Sequence, residues 1–435
     1  MTKTYRPYQP EQGLLLPPNL RDWLPENHLA YFVSDLVDQL DLSAIYGVYE
    51  KEARGQPPYD PRLMTKLLVY GYCVGVFSAR KIEQRVMEDV GFRVLAAGNA
   101  PDFRTIADFR KIHRKALEGF FEQVLRMALE VGAVTVGRVA LDGSKVKANA
   151  SKHQAMSYGR MQEQEAIRKE VRKLLLRAAE TDAAEDRRYG KNRRGDELPE
   201  ELQRHETRLK RIRAAKKALE ERAREEAKAD GKPGEEAKPA AKEQYNFSDP
   251  ESRIMKSSSE GFVQAYNAQI AVEPVMQLIV GQAVTQAAND KEQVEPMVEA
   301  IEAQSGQRPE EMLADNGYCS EKNLEYLESA KKPEQKIEAY IATGRQKHGE
   351  RRVSPHGPSR QAGTRVERMK RKLQTKAGAA IYAARKAIVE PVFGQIKQAR
   401  GFRRFSMRGL AKVQAEWALV CATHNILKVY RLCYG

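Results

Sequence analysis

Three acidic residues, far apart in the sequence, are the strongest candidates for chemistry. Asp142 follows an apolar run in VALDGSKVKANAS, and Asp315 follows another in EEMLADNGYCS. Glu390 lies in AIVEPVFGQIKQARGFRRF, seven residues before Lys397. Taken singly, Asp-Gly and Asp-Asn-Gly are favourable turn sequences. If the two aspartates end neighbouring buried strands and meet the glutamate, their oxygens are the ligands that a divalent cation such as Mg²⁺ prefers.

The elements that must position these acids change in type along the chain. After a Pro-rich tail over residues 1–27, residues 28–135 have apolar side chains at helical spacing. They predict a helical domain that binds DNA or pairs subunits. One alternative is a helix-turn-helix that reads DNA with Arg80, Arg85, Arg104 and Arg110; the other is a plain helical bundle. Pro61 marks a helix start, and Ser78 and Thr105 are candidate N-caps.

Strand-type periodicity follows this helical region. GRVALDGSKVKA predicts a strand that ends near Asp142, and residues 261–274 and 276–286 predict a hairpin that turns near 273–275. A helix over 290–306, a short strand ending at Asp315 and a helix over 320–330 come next. KIEAYIATG predicts a last strand, and the chain is expected to be helical from about Thr375 to near Tyr430. Ser320 is a candidate cap for the helix over 320–330.

A charged segment, residues 151–253, interrupts this pattern between the first strand and the hairpin. Its charges are nearly balanced, and residues 161–179 and 200–228 have helical spacing. Two antiparallel helices joined near residues 189–194 would account for this helical spacing. An arm that clamps DNA or dimerises and a passive insertion are equally consistent with the sequence.

Without the insertion, the order of elements is that of the ribonuclease-H-like fold. This α/β fold has a mixed sheet, in which three carboxylates meet at the ends of the two central strands. The catalytic core would comprise residues 136–150 and 254–435. Two metal ions about 3.5–4 Å apart at such a site activate the attacking oxygen and stabilise the leaving one.

The positive charge of the chain is concentrated in one stretch. The net charge is +15, yet the segment from Arg345 to Lys412 contains 19 Lys and Arg against three acids. This local excess is typical of contact with a phosphate backbone, although a solubilising surface is the alternative. The four cysteines are scattered and fit a reducing cytoplasm. The sequence contains no GxxxxGK[ST] motif and no apolar run of about 18 residues, so neither a nucleotide cofactor nor a membrane span is expected.

At the level of whole motifs, the chain resembles bacterial insertion-sequence transposases of the DDE type, in particular the group named IS-eleven-eighty-two. The resemblance rests on ALDGSKVKANASKH, NFSDPESRIMKS, GFVQAYNAQIAV, VTQAANDKEQVEPM, LADNGYCSEKNL and YAARKAIVEPVFGQIKQARGFRRF. It implies metal-dependent cleavage at transposon ends, followed by attack of the freed 3′-hydroxyl on target DNA. Asp142, Asp315 and Glu390 match the family's catalytic, metal-binding triad, which implies a pair of Mg²⁺ or Mn²⁺ ions. The implied partners are double-stranded DNA and a second copy of the chain.

Transposases of related insertion sequences share a signature of Tyr, Arg, Glu and Lys late in the chain. Tyr382, Arg385, Glu390 and Lys397 fit it, except that four residues rather than three separate Arg385 from Glu390. Pro391 disfavours helical geometry at Glu390, which predicts a kink or a helix start there. The candidate DNA-binding residues are Lys145, Lys147, Tyr382, Arg385, Lys397, Arg400, Arg403 and Arg404.

Other residues have competing interpretations. Asp249 and Asp290 are rival carboxylates; Asp290 is favoured as a helix N-cap, and Asp249 as a DNA contact or a structural cap. Trp417 is expected in the core. Phe402 and Phe405 either read DNA or cover the core. Two other functions stay open: a catalytically silent DNA-binding descendant of a transposase, and a metal-dependent nuclease without strand transfer.

Overall fold

The central sheet of the protein is mixed and has six strands. The computed structural model describes residues 19–435 apart from 51–56, 152–153, 166–199, 230, 232–236, 258–260, 329–335 and 345–362. The strands of this sheet are β1 (Arg138–Lys147), β4 (Arg253–Ser257), β5 (Gly261–Val272), β6 (Ile279–Thr285), β7 (Glu311–Ala314) and β8 (Glu338–Ile341).

The order of these strands positions the candidate site. β5 pairs antiparallel with β1, and β4 and β6 both pair with β5, along its first and second halves. On the other side of β1, β7 runs parallel to it, and β8 runs parallel to β7. The predicted α/β class, the mixed sheet and the hairpin between β5 and β6 are therefore confirmed.

Strand β1 is longer than the sequence indicated. We expected it to end near Asp142, but it continues to Lys147 and remains paired with β5 along residues 140–147. Asp142 therefore lies inside a central strand. The prediction failed because the segment after Asp142 is polar, and its partner strand β5 also carries polar side chains, Asn267 and Gln269, at this level.

The first third of the described chain is helical. Its helices are α1 (Leu29–Gln39), α2 (Ser43–Tyr49), α3 (Pro61–Cys73), α4 (Ala79–Glu88), α5 (Val90–Ala96), α6 (Phe103–Ile112) and α7 (Arg114–Glu130), preceded by a 3₁₀ turn at Leu20–Trp23. Pro61 is at the start of α3, as predicted, and Asp60 caps it. Ser78 holds the N-cap position of α4 but makes no side-chain bond there. Thr105 does not cap a helix; the cap of α6 is Asp102, which accepts a bond from the Thr105 amide.

The second half of the chain contains helices that cover the sheet. They are α9 (Val294–Ser305), α10 (Glu321–Glu328), α11 (Arg365–Gln374), α12 (Lys376–Gly394) and α13 (Leu410–Tyr434), with a π-helical turn at Gln395–Ala399 after α12. Ser320 accepts a bond from the Asn323 amide, as expected of a cap. Helices α3 and α7 pack against α13, so one hydrophobic core runs from the amino-terminal helices through to the sheet.

Helix α12 continues through Pro391, contrary to the predicted kink or helix start at Glu390. A proline has no N–H, so the carbonyl of Ala387, four residues earlier, loses its helical donor. The side-chain amide of Gln277 donates to that carbonyl at 3.0 Å. This contact from the β5–β6 turn satisfies the orphaned carbonyl, and Glu390 remains inside a regular helix.

The insertion is only partly helical in the described residues. The strands β2 (Ala155–Ser157) and β3 (Gln244–Asn246), near the two ends of the insertion, pair in a two-stranded sheet. The long helix α8 (Glu200–Ala229) lies between them in the sequence. A small separate core forms where α8 meets Tyr158 and Met161. The helix junction predicted near 189–194, and most of the segment 161–179, lie outside the described residues.

A buried carboxylate joins the amino-terminal helices to the loop before α13. Glu416 accepts hydrogen bonds from the amides of Ser406 and Met407, from the Ser406 hydroxyl, and from the Tyr72 hydroxyl at 3.2 Å. Tyr72 in turn accepts a 3.0 Å bond from Arg110. Arg110 is buried in this network, so it is not available to read DNA as the helix-turn-helix alternative required.

We expect the Glu416→Ala variant to lose about 2–4 kcal/mol of unfolding free energy, because several buried donors would lose their acceptor. Chemical denaturation measures the loss. The exposed Glu225→Ala on α8 is the control, and Glu416→Gln should lose less than the alanine variant. Equal stability of Glu416→Ala and Glu225→Ala would contradict the structural role of this network.

Candidate active site

Asp142 lies in β1, and Asp315 directly follows the adjacent parallel strand β7. The register pairs Ala140 of β1 with Leu313 of β7, and two further residues along each strand are Asp142 and Asp315. Neighbouring strands are about 4.8 Å apart. The side chain of Asp142 accepts a bond from the Gly143 amide, and that of Asp315 accepts one from the Gly317 amide. The two acids that the sequence singled out are therefore brought together.

A third carboxylate, Asp290, reaches this pair from the segment before α9. The sequence suggested that Asp290 caps this helix, but the N-cap position is held by Gln293. The side chain of Asp290 instead accepts bonds from Asn267 (2.6 Å) and Gln269 (2.7 Å) of β5. Lys145 lies 3.6 Å from it. Asp290 is thus a site residue whose place the sequence pattern did not reveal.

Two glycines give Asp290 room to approach. A Cβ on Gly143 would lie 2.7 Å from Oδ1 of Asp290, and a Cβ on Gly317 would lie 2.9 Å from Asp315 Oδ1 and 3.4 Å from Asp290 Oδ2. Any larger residue at either position would therefore push these carboxylates aside. Both glycines therefore allow close packing of the acids, and only the Asp-Asn-Gly sequence also forms a turn.

The three aspartates make the site strongly negative. Burial raises the pKa of Asp142 to about 6; the guanidinium of Arg385 opposes this shift, and the charges of Asp315 and Asp290 add to it. Burial, with the same three carboxylates, also raises the pKa of Tyr318, whose hydroxyl donates to Gln269. Negative charge concentrated in a half-buried place is the environment in which a cation binds favourably.

Helix α12 brings Arg385 and Tyr382 over this cluster. Nη1 of Arg385 lies 3.8 Å from Oδ2 of Asp142, a distance too long for a hydrogen bond. Nε and Nη1 of this buried guanidinium have no hydrogen-bond acceptor among the described residues. Burial raises the pKa of Tyr382, and Arg385 beside it counteracts that shift. Arg385 therefore presents unused donors at the site, which suits an anionic oxygen.

Lys397 reaches the same strand from the π-helical turn. Its ammonium donates to the hydroxyl of Ser144 and, at 2.9 Å, to the carbonyl of Lys145. Burial lowers its pKa to about 8, while the charge of Asp142 works in the opposite direction. Lys397 and Arg385 thus flank Asp142 on one face of β1, because Asp142 and Ser144 point to the same side.

Glu390 is placed differently from the two aspartates. It lies on α12 five residues after Arg385, a rotation of about 140° around the helix axis, and its side chain is exposed. Among the described residues, no group of three His, Cys, Asp or Glu side chains is close enough to hold a metal ion. The structure therefore joins Asp142 with Asp315 but does not bring Glu390 into contact with them.

The other predicted DNA-binding residues differ in exposure. Arg403 and Arg404 are exposed in the loop before α13, and the backbone of this loop bonds to Lys147 at the end of β1. Phe402 and Phe405 of that loop are buried, so the core interpretation of both is correct. Trp417 is also buried, as expected.

Arg400 does not have the role that the sequence predicted. It is buried and donates to Thr423 Oγ1 at 2.9 Å and to the Val420 carbonyl at 3.2 Å, both on α13. It therefore braces α13 and does not face DNA. Asp249 is likewise structural: it is fully buried and accepts bonds from the Tyr266 hydroxyl and the Gly409 amide.

Comparison with protein families shows to which family this chain belongs. The family described as Transposase domain (DUF772) matches residues 18–112, and the family described as Transposase DDE domain matches residues 226–426. Together they span about two thirds of the chain. It is a DDE transposase of the insertion-sequence type.

Such a transposase cleaves DNA and transfers strands in DNA transposition, and enzymes with this domain generally depend on a divalent metal. Neither a curated protein nor a solved structure matches the chain significantly. In the part of the transposase that the structure describes, every helix is too short or too polar to cross a membrane.

The charge cluster predicts how stability of the transposase depends on pH. The pKa of Asp142 is higher in the folded protein, at about 6, than its ordinary value of 3.8. The folded state therefore binds the proton of the Asp142 carboxyl more tightly than the unfolded state does. The stability that this proton contributes is lost as pH rises from about 4 to about 6. Asp142→Asn should exceed the wild type by up to about 3 kcal/mol at pH 8 and match it near pH 3.5.

Chemical denaturation in the presence of a chelator measures this difference at both pH values. Glu299→Gln, on the exposed side of α9, controls for the loss of one negative charge elsewhere on the surface. An asparagine variant that is less stable than the wild type at pH 8 would show that Asp142 has a structural task instead.

Proposed function

We propose that this transposase cuts DNA at the ends of its element with Asp142, Asp315 and Glu390 as the metal-binding triad, within a ribonuclease-H-like catalytic core. The observation that carries the proposal is the meeting of Asp142 and Asp315 on adjacent parallel strands, with negative charge in excess and a buried arginine whose donors are unused. The cofactor would be a pair of Mg²⁺ or Mn²⁺ ions.

The residues present fit such a cofactor in their chemistry. Carboxylate oxygens are preferred by hard divalent cations. Burial raises the pKa of Asp142, and the negative charges of Asp315 and Asp290, which a cation would neutralise, add to that shift. Asp142 and Asp315 would form one half of the site, since Asp142 is held within β1 and Asp315 by the end of β7 and by its bond from the Gly317 amide. Glu390 would supply the third carboxylate from α12. When bound, the ions activate the attacking oxygen and stabilise the leaving one.

The chain's own cations would act on the phosphate. Arg385 would donate from Nε and Nη1 to a non-bridging oxygen of the scissile phosphodiester, which gives its unused donors acceptors. Lys397 would stay beside Ser144 and hold the β1 strand against the π-helical turn, with its charge directed at the same phosphate. Tyr382 would pack beside Arg385 and restrict its orientation.

The DNA backbone would continue from this site along two exposed arginines and the half-buried Lys147. Lys147, Arg403 and Arg404 lie where β1 meets the loop before α13, and we assign them to phosphate contact. Lys145 is paired with Asp290 and would contribute by holding that carboxylate in place.

The finer assignment of the protein follows from the motifs. We infer that it belongs to the IS-eleven-eighty-two-like group and that it acts as a homodimer on paired transposon ends, since two-fold pairing is the commonest assembly. Its substrate is DNA and all four of its cysteines are free, which supports action in the cytoplasm on nucleoid DNA.

Removal of any one carboxylate of the triad should abolish cutting but not DNA binding. Asp142→Asn, Asp315→Asn and Glu390→Gln are each expected to reduce metal-dependent nicking of terminal sequences by at least about 10³-fold, since carboxylate ligands are indispensable to the bound ions. Affinity for the same DNA, measured in chelator, should change less than about threefold. Glu367→Gln, an exposed glutamate on α11, is the matched control for Glu390→Gln.

Wild-type nicking by one of these variants would remove that residue from the triad. If the wild type binds terminal DNA but never nicks it, the protein is a silent descendant, and nicking without joined product would indicate a nuclease.

The two classes of arginine before α13 should separate in experiment. Arg403→Ala with Arg404→Ala is expected to weaken binding to duplex DNA about tenfold at low salt and to leave the melting temperature unchanged, because both side chains are exposed. Arg400→Ala should lower the melting temperature by several degrees, because buried acceptors on α13 would lose their donor. Equal effects of both variants on stability would contradict this distinction.

A further inference from the structure

Helix α8 of the insertion carries a concentrated band of positive charge. Residues 208–217 include six Lys and Arg and no acid. Within this band the exposed side chains are Arg208, Lys210, Arg211, Arg213 and Lys217, together with Ala214. This part of the helix lies between the two family-matched stretches, 18–112 and 226–426, so neither family description covers it.

The fold uses the opposite face of α8 for packing. Ile212, Ala215 and Leu219 are buried in the small core with Tyr158 and Met161. At 100° per residue, Lys210 and Lys217 point about 160–180° away from the centre of that buried face. The helix is therefore docked by one side, and its basic band is directed to solvent.

The anchoring of α8 concentrates on its second half. Tyr158 donates to Glu220 at 2.8 Å, and Arg222 donates to the Pro250 carbonyl at 3.3 Å and lies 3.7 Å from Glu243. The acids of the insertion near the basic band are used on the docked side: Glu165 pairs with Lys216 at 2.9 Å and with Arg213 at 3.5 Å. Lys217 also lies 3.5 Å from Glu221, four residues further along the helix. Among the described residues, Arg208, Lys210 and Arg211 form no ion pair and are exposed.

This arrangement is unfavourable for an isolated helix. Arg208 and Arg211 are three residues apart, and Lys210 and Arg213 likewise, so each pair brings like charges together, although Glu165 partly neutralises Arg213. Each such pair costs about 0.2–0.5 kcal/mol in water. Residues 221–228 differ from this band, since their exposed side chains carry both signs of charge. A polyanion bound to residues 208–217 would reduce the repulsion.

We propose that the outer face of α8 over residues 208–217, which includes Lys210 and Lys217, binds the sugar-phosphate backbone of duplex DNA as a contact separate from the catalytic cleft. The insertion is then a DNA-binding arm. The band from 208 to 217 is about 14 Å long. Duplex DNA has one phosphate charge per about 1.7 Å of axis, so a surface of this length meets several phosphates. The contact involves no base edges, so it is independent of sequence.

The proposal rests on DNA being the substrate but not on the identity of the metal-binding carboxylates. The test compares two double variants in full-length protein: Lys210→Ala with Lys217→Ala, and Arg224→Ala with Lys228→Ala as the matched control. Each removes two exposed cations from the same face of the same helix. Alanine favours helix, so both variants should fold.

Binding is measured by fluorescence anisotropy with a labelled 30-base-pair duplex of arbitrary sequence, in chelator, over a range of NaCl concentrations. The first variant should bind about tenfold more weakly at low salt, and the slope of log Kd against log salt should fall by about 1.8, or 0.9 for each phosphate that the variant no longer neutralises. The control should stay within twofold of the wild type. At saturating DNA, both variants should still nick.

Equal weakening by the two variants would overturn the proposal, because it would reveal only a loss of net charge. An unchanged salt slope would overturn it as well. A first variant that binds DNA normally but changes the oligomeric state of the protein would assign the basic band to subunit contact instead. Failure of the carboxylate triad would appear separately, as nicking by Asp142→Asn, and would leave this comparison intact.

Discussion

The burial and mutual repulsion of two neighbouring carboxylates is the constraint on which the rest of the site depends. Asp142 lies in β1 and Asp315 directly follows the adjacent parallel strand β7, so the pairing of these strands keeps the two acids close. The nearby charges that oppose the repulsion are cations held by other elements: Arg385 from α12 and Lys397 from the π-helical turn. Lys145, on β1 itself, balances Asp290. Burial raises the pKa of Asp142, and the charges of Asp315 and Asp290 raise it further against the opposing effect of Arg385. Buried carboxylates with this charge balance suit divalent cations and the phosphate that accompanies them.

Elements far from the carboxylates keep this arrangement rigid. Gln277 satisfies the carbonyl that Pro391 leaves without a donor, so α12 stays helical where it carries Glu390. Glu416 fixes the loop that carries Arg403 and Arg404, and the same carboxylate accepts a bond from the amino-terminal helices. The helical region is thereby part of the framework of the catalytic half, and one core connects the two.

Local patterns in the sequence were sufficient to predict the first half of β1, the strands β5 to β8, the hairpin and the two aspartates, because alternation of apolar residues is a feature of neighbouring residues. They did not predict β2, β3 and β4. The rest depended on partners that are distant in the chain. From the sequence, Asp290 is a candidate helix cap, and its contacts with Asn267 and Gln269 become visible only in the fold. The one sequence signal for this polar site was the alternation of polar residues within the apolar strand YNAQIAV. Arg400 belongs to the same basic run as Arg403 and Arg404, and only the packing of α13 distinguishes it. The continuation of β1 beyond Asp142 required a polar partner strand.

The central claim is that Asp142 and Asp315 are ligands of a divalent cation, and direct metal binding tests it best. Electron paramagnetic resonance of Mn²⁺ titrated into the full-length protein with duplex DNA counts bound ions without requiring catalysis. We expect up to two bound ions per chain in the wild type and in the Lys210→Ala, Lys217→Ala variant at saturating DNA. We expect at least one fewer in Asp142→Asn and in Asp315→Asn. Unaltered Mn²⁺ affinity and stoichiometry in both aspartate variants would contradict the claim.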